Sequence, residues 1–415
     1  MANIFYGILN KNTIGEKIDG WIEVAERERE EFPIVFCEKD ENLHKFKGRL
    51  LDKYDVLSLD DALKRYPDAH VWVTYPKAGT TAKHLLTKMR PEKIHFLEDD
   101  LEYRRGCRFL GKFISYRKDT FSPCCVTGKA PLVKASGSVA ERIRHWQSYT
   151  EKLVDDVRNN KPNDCDKCHL LKEGFYRKTV QLNEINFGSN NKGDVCNFKC
   201  TYCFCETTFK RLKEQGDGLS TYEILREISQ MPEHDHENFV VQLANGEPCA
   251  NKDFDALMDV LLDNKWKVVL ISNMSIYREK LATIMEQGRV INTLVSMDSG
   301  TRETFKKVKR SDMFDRVVEN LRRYPIDKAN LRLKYIFLEG VNDNEADVDG
   351  FYELAKELNA VIVPSADLNK PWNAKIKGLV LRIIEKAQAD GIKISTASSY
   401  LSKADVRFIS ENYGK

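Results

Sequence analysis

Cys196, Cys200 and Cys203 fall within the run Cys-Asn-Phe-Lys-Cys-Thr-Tyr-Cys, three thiols separated by three and then two residues. Upstream, residues 180–187 are rich in the branched and aromatic residues that suit a strand, and a polar, glycine-bounded loop covers 188–193. A strand that runs into three closely spaced thiolates presents three corners of a soft-metal site. Tetrahedral zinc needs a fourth ligand, which Cys205 supplies only if the backbone turns it inward. A [4Fe-4S] cluster can do without one, because its open iron then takes a substrate or cofactor.

Length and composition limit the alternatives. A chain of 415 residues has room for two or three domains. Hydrophobic and charged fractions of 42% and 31% are those of a folded, water-soluble protein. The 66 basic residues nearly balance the 63 acidic ones, so net charge gives no reason to expect nucleic acid as a partner. No stretch approaches the length of a membrane span, and the first residues lack the basic-then-apolar pattern of an export signal. Cytoplasmic residence is expected. Eleven cysteines, several of them grouped, then favour metal ligation over disulfides.

The cysteine triplet, with the aromatic Tyr202 just before its third member, resembles the signature of the radical S-adenosylmethionine (SAM) enzymes. That resemblance implies a [4Fe-4S] cluster on Cys196, Cys200 and Cys203. Its open iron is chelated by the amine and carboxylate of SAM, which is cleaved to a 5'-deoxyadenosyl radical. The implied partners are a small-molecule or peptide substrate and an external one-electron reductant such as flavodoxin or ferredoxin. A zinc or disulfide site is the competing reading.

Residues 1–97 alternate short strands (4–6, 33–37, 71–74) with helical segments (18–30, 59–66, 80–89), which implies a small parallel α/β layer. The region resembles the abbreviated Rossmann-like domains of polysaccharide and nucleotide-sugar enzymes, with Gly7 and Asp40 in the turn and ribose positions. It lacks the Gly-x-Gly-x-x-Gly of close pyrophosphate approach, so a docking or substrate-recognition layer is the favoured reading. Cys37 reads as a buried hydrophobe.

Residues 98–176 carry Cys107, the adjacent Cys124 and Cys125, and the turn Cys165-Asp-Lys-Cys168. Strand-like segments 113–116 and 120–122 suggest a hairpin. Val139, Ile143, Trp146, Leu153 and Val157 give residues 138–159 a helical packing face. Four such thiols suffice for zinc or a fully ligated cluster. The pattern is similar to the SPASM and twitch auxiliary-cluster modules of radical SAM enzymes, which implies a second [4Fe-4S] cluster on Cys107, Cys124, Cys165 and Cys168. Cys125 is the alternative hairpin ligand. In this chain the module precedes the catalytic domain, and Asp119 stands where the hairpin glycine is usual.

From 177 to 415, six strand-like segments (180–187, 239–244, 267–272, 292–297, 331–338, 360–364) alternate with helical ones (221–231, 254–262, 276–286, 302–324, 346–358). Ser220 and Glu223 form a capping box before the first of these helices. The series is that of a parallel βα fold and resembles the radical SAM partial (β/α)6 barrel, with ligand groups expected at the C-terminal strand ends. Asn245-Gly246-Glu247 is similar to the family's Gly-Gly-Glu, which implies contact with the SAM amine; capping of the next helix is the other role open to Glu247. Ser296 and Asp298 resemble the positions that meet ribose and carboxylate. Asn273 and Asn342 complete the candidates, with loop formation as their alternative.

The reading is therefore an α/β radical SAM enzyme with a Rossmann-like domain and a SPASM/twitch-like module before its barrel. Hydrogen abstraction from a substrate carbon, with an auxiliary cluster accepting the electron, favours net oxidation of a sugar, nucleotide-sugar or other small metabolite. A peptide-modifying enzyme or an epimerase is the alternative. An iron-sulfur or zinc structural protein is the non-enzymatic one.

Overall fold

The structure is a computed structural model that describes residues 3–6, 34–37, 55–73, 85–96, 101–117, 120–124, 131–166, 168, 170–187, 194–203, 218–231, 239–244, 246–368, 370–397 and 401–413. Gly7, Asp40, Asp119, Cys125, Cys205 and Asn245 lie outside these residues, as does the helix expected over 18–30. The chain divides into two compact units, Met1–Gly111 with Tyr149–Val180, and Lys112–Ser148 with Gln181–Lys415.

In the first unit, five parallel strands, β1 (Asn3–Tyr6), β2 (Ile34–Cys37), β3 (Asp55–Leu57), β4 (His70–Val73) and β5 (Ile94–Phe96), lie in the order β3-β2-β1-β4-β5. The parallel α/β layer expected from the sequence is observed, with β3 and β5 as additional strands. Helix α1 (Leu59–Arg65) starts where the Ser58 side chain accepts from the Asp61 amide at 3.1 Å. Its acidic first turn and basic last turn oppose the helix dipole. Leu59 and Ala62 pack with Ile4, Val71, Val73 and Ile94. A separate antiparallel pair joins β6 (Leu101–Gly106) to β10 (Lys172–Arg177).

Helix α2 (Val139–Arg158) contributes residues 139–148 to the second unit and the remainder to the first. All five residues of its expected packing face are buried. Within the second unit, Trp146 donates its indole N–H to the Phe113 carbonyl at 3.0 Å.

The second unit is built on the run β11 (Glu184–Phe187), β12 (Val240–Leu243), β13 (Lys267–Ser272), β14 (Val290–Ser296), β15 (Leu331–Phe337) and β16 (Val361–Ala366), adjacent and parallel in chain order. Between them come α3 (Thr221–Ser229), α4 (Phe254–Asp263), α5 (Glu279–Glu286), α6 (Arg302–Lys309), α7 (Phe314–Arg323) and α8 (Glu345–Glu357). The Ser220–Glu223 capping box is present at α3. This is the open parallel series of a (β/α)6 partial barrel. Beyond β11 the sheet continues through β7 (Phe113–Tyr116), parallel to β11, and then the antiparallel β8 (Thr120–Ser122) and β9 (Val133–Lys134). The expected hairpin is therefore part of the barrel's own sheet.

Residues 302–324, read from sequence as one helix, are two. Arg310 adopts a left-handed conformation (φ 51°) and ends α6. After β16 the chain adds α9 (Ala374–Asp390) and α10 (Lys403–Asn412).

Register assigns the two faces of the barrel sheet. Tyr335 stacks against Phe351 of α8, so its face looks toward the helices. Leu333, Val295, Ser272, Leu270, Leu243, Val241 and Ile185 share that face through their cross-strand pairs, and all are buried. Helix α8 sits unusually close to the turn after β14. A Cβ on Gly300 would overlap the Asp347 carbonyl and the Phe351 amide, and one on Gly350 would overlap the Gly300 carbonyl.

Gly300→Ala is expected to destabilise the chain by about 1–3 kcal/mol, because backbone must move to admit the methyl group. Gly378, inside α9, is the internal control. A Cβ there meets nothing within 4 Å, so Gly378→Ala should stabilise by about 0.5–1 kcal/mol. Urea unfolding of the two variants beside the wild type reads both signs.

Candidate active site

The cysteine loop leaves the C-terminal end of β11 and is pinned by its backbone. The α6 carbonyls of Val308 and Lys309, which have no partner inside a helix that stops there, accept from the amides of Thr201 at 2.9 Å and Lys199 at 3.3 Å. Cys203 N–H donates to the Cys200 carbonyl at 3.1 Å, which closes a turn between two of the thiols. Phe198 packs edge-on against Phe305 of α6. On the other side, Asn197 donates to Ser275 Oγ at 2.8 Å and accepts from Asn273 Nδ2 at 2.9 Å. Val195 accepts from the Glu247 amide at 2.7 Å.

All three thiols are half-buried. Burial pushes the Cys196 thiol up to about 11, and it raises Cys200 as well. At Cys200 the Lys309 ammonium pulls in the opposite direction, toward the thiolate.

Next to this loop sits a buried polar knot. Asp298 has no exposure, and its φ of 55° turns the chain sharply after β14. One carboxylate oxygen takes the Tyr202 hydroxyl and the Lys309 ammonium; the other accepts from the Ile336 amide at 2.8 Å. Lys309 also donates to the Tyr202 hydroxyl at 2.7 Å. The Tyr202 ring packs on Val308, Ile336 and Leu338. Burial and the Asp298 charge drive the Tyr202 phenol far above its ordinary value.

Asn342, also fully buried, donates to the carbonyls of Asp298 (2.9 Å) and Ile336 (2.8 Å) and accepts from the Leu338 amide (2.7 Å). Its amide thus serves the turn after β15, the loop-forming role that was its alternative. Both nitrogen-bound hydrogens are engaged.

Glu247 is 1% exposed. Its carboxylate accepts from the Asn273 amide at 2.6 Å, Ser272 Oγ at 2.8 Å and the Cys249 amide at 3.1 Å. The last of these caps the short 3-10 turn Pro248–Ala250. Burial raises its pKa, with those three donors opposing the shift. Gly246 before it has φ 61°, a conformation that glycine supplies freely. A small cleft lies here, lined among others by Val195, Gln242, Glu247, Thr221 and Asn251.

The concave face of the sheet carries polar side chains on β11, β12, β14 and β15. Gln242 donates to Glu184 and accepts from Asn186 at 2.8 Å. Arg332 donates to Asn292 at 2.6 Å. Ser296, a sequence candidate, pairs in register with Lys334 on the same face. Lys334 is 6% exposed. Burial pushes it down to about 8, with Asp298 opposing and Lys309 reinforcing the fall.

Neither Lys309 nor Lys334 was singled out from the sequence, although each interrupts an apolar pattern. Lys309 follows Phe305 at helical spacing on the buried side of α6, and Lys334 sits between Leu333 and Tyr335 within a strand.

The first unit holds Cys107, Cys165 and Cys168. Cys107 and Cys165 pack on the same apolar cluster of Leu110, Leu153, Val154 and Val157, and Cys168 N–H donates to the Cys165 carbonyl at 2.9 Å. Cys124 belongs to the second unit. Among the described residues, no three His, Cys, Asp or Glu side chains gather closely enough to hold one metal ion. The donor chemistry of Cys196, Cys200 and Cys203 nonetheless fits a soft iron-sulfur group, being all thiol and all on one pinned loop. No helix among the described residues is long and apolar enough to cross a membrane.

A parallel βα series with three cysteines after its first strand defines a class, and the comparison with known families agrees. Residues 190–354 match the family model described as "Radical SAM superfamily". This segment is a radical SAM catalytic domain, and the chain is an enzyme. Among curated proteins it is similar to a GTP 3',8-cyclase of Nautilia profundicola, 26% identical over 40% of this chain and 51% of that protein. A GTP 3',8-cyclase of Mannheimia succiniciproducens is 30% identical over 37% of this chain and 45% of its own length. The chain thus spans about half the length of these relatives. Among solved structures, Streptococcus suis SuiB aligns with TM-score 0.40 and 11% identity, over 65% of this chain and 56% of that one.

The Lys334 ammonium gives a pH signature. Between about pH 8 and its model-compound value of 10.5, the unfolded chain holds this proton and the native chain does not. Stability therefore rises with pH across that window, and at neutral pH the buried ammonium is a net cost. Lys334→Met is expected to be more stable than wild type at pH 7, by on the order of 2–4 kcal/mol. The rise between about pH 8 and 10.5 should also be missing from its denaturation midpoints. An identical pH slope in both proteins refutes the assignment.

Proposed function

We infer that the enzyme reductively cleaves SAM at Cys196, Cys200 and Cys203 and removes hydrogen from a carbon of a small, polyhydroxylated substrate such as a sugar or nucleotide-sugar. The observation that carries the substrate class is the polar concave face. Glu184, Asn186, Gln242, Asn292, Arg332 and Ser296 set polar side chains on four of the six barrel strands, a lining that suits a hydroxyl-rich substrate better than an apolar one. When bound, the cluster and SAM supply the electron and the radical that takes the hydrogen atom. The chain's own part is to bind, orient and shield. The loop bonds to α6 hold the thiols, and Glu247 and Gly246 shape the turn after β12. The curated relatives are named for acting on GTP, which supports a nucleotide-bearing substrate for this chain.

Cys107, Cys165 and Cys168 of the first unit are proposed ligands of an auxiliary cluster that accepts the substrate electron, giving net oxidation. The shared packing of Cys107 and Cys165 around α2, with the Cys168 amide bonded to the Cys165 carbonyl, supports this reading. Anaerobically reconstituted protein is then expected to hold about eight irons per chain. Replacing Cys165 and Cys168 by alanine should leave about four irons and keep substrate-independent SAM cleavage. Replacing Cys196, Cys200 and Cys203 should abolish that cleavage. Four irons in the intact, fully reconstituted chain rule out the auxiliary cluster.

The substrate class is tested by 5'-deoxyadenosine formation with deuterated candidates. Deuterium should appear in 5'-deoxyadenosine with a member of a nucleotide-sugar panel. Transfer from peptides alone reassigns the enzyme to peptide modification.

A further inference from the structure

We propose that Lys309 is a positioning and charge-setting residue for the iron-sulfur cluster of the three-cysteine loop, an inference that rests on the functional reading above. The argument begins with the helix that holds the loop. Helix α6 ends against it, and the carbonyls of Val308 and Lys309 receive the amides of Thr201 and Lys199. A helix C-terminus carries partial negative charge, and the loop itself would carry three thiolates. The Asp298 carboxylate, buried beside Tyr202, adds a full negative charge to the same neighbourhood.

One cation answers these. Lys309 is the last residue of α6, and its side chain folds back so that its ammonium meets both Asp298 and the Tyr202 hydroxyl. It is 2% exposed, so water screens it little. Tyr202, directly before Cys203, donates its hydroxyl to Asp298 and accepts from the Lys309 ammonium, which ties the ammonium to the segment between two of the three ligands. Lys309 therefore fixes the turn between Cys200 and Cys203 and cancels the Asp298 charge behind it. Without the ammonium, the net charge beside the cluster falls by one unit, and addition of an electron becomes harder.

The test measures the reduction potential of the cluster in the full-length, anaerobically reconstituted chain by EPR-monitored titration with dithionite. The signal followed is the one lost in Cys196→Ala. Lys309→Met is expected to lower the reduced-to-oxidised ratio at a fixed potential at least tenfold, a shift of about 59 mV to more negative values for a one-electron couple. Lys309→Arg should keep the wild-type potential. Lys309→Met combined with Asp298→Asn, which removes both charges together, should return the potential to the wild-type value.

A fully loaded Lys309→Met protein with the wild-type potential overturns the proposal. If Lys309→Met takes up no cluster, the double variant decides. Loading at the wild-type potential supports charge pairing, whereas failure to load, or loading at a shifted potential, overturns it. Wild-type protein that binds no cluster on these cysteines refutes the functional reading itself, a result separable from any behaviour of the variants.

Discussion

The Asp298 carboxylate is out of reach of water, and an uncompensated carboxylate in such a place costs several kcal/mol. Its neighbours remove that cost one oxygen at a time. Lys309 and Tyr202 take one oxygen, and the Ile336 amide takes the other. Asn342 then binds the Asp298 carbonyl and reaches across to β15. Three stretches of chain are thereby fixed to a single residue: the cysteine loop, the end of α6, and the end of β15 with the turn that follows it. Loss of any one partner would leave buried polar groups unsatisfied, so the geometry of the candidate site is held cooperatively.

A second carboxylate, that of Asp347, holds the same region from the helical side. It accepts from the amides of Gly300 and Thr301 and from the Thr301 hydroxyl, each at 3.0 Å. Those groups sit at the start of α6, so the helix is clamped at its N-terminus by α8 and at its C-terminus by the cysteine loop. The absence of side chains at Gly300 and Gly350 lets α8 come close enough for this. The left-handed Arg310 matters for the same reason. Had α6 run on into α7, as the apolar spacing alone suggests, the carbonyls of Val308 and Lys309 would be spent inside the helix and could not receive the loop.

Much of the barrel was legible because its signals are local and repeated. Branched-residue runs gave β12, β13 and β15 nearly to their ends, and the Ser220–Glu223 capping box gave the start of α3. Helix α9 was equally legible, with Asn373 as N-cap, Leu379, Val380, Ile383 and Ile384 at helical spacing and Gly391 beyond its end, yet it was passed over. The β6–β10 pair was not legible in the same sense. Leu101–Gly106 is Leu-Glu-Tyr-Arg-Arg-Gly, a polar stretch whose strand character comes from its partner rather than its own pattern. Nor could local pattern reveal that residues 113–122 join the barrel sheet, because that depends on pairing with β11. In the site, cysteine spacing announced the loop, whereas the roles of Asp298 and Asn342 depend on contacts that include ones across 38 and 44 residues of chain.

The two buried lysines near Asp298 differ in a way that bears on what the concave face can do. Lys309 meets the carboxylate directly and also has the Tyr202 hydroxyl, so its charge is compensated within the knot. Lys334 feels the same carboxylate at longer range and is repelled by Lys309, which leaves desolvation as its dominant influence. Lys334 shares its face of the sheet with Ser296 and Arg332, so the lysine whose proton burial disfavours lies among the polar side chains of that face, whereas Lys309 is engaged in the knot that holds the cysteine loop.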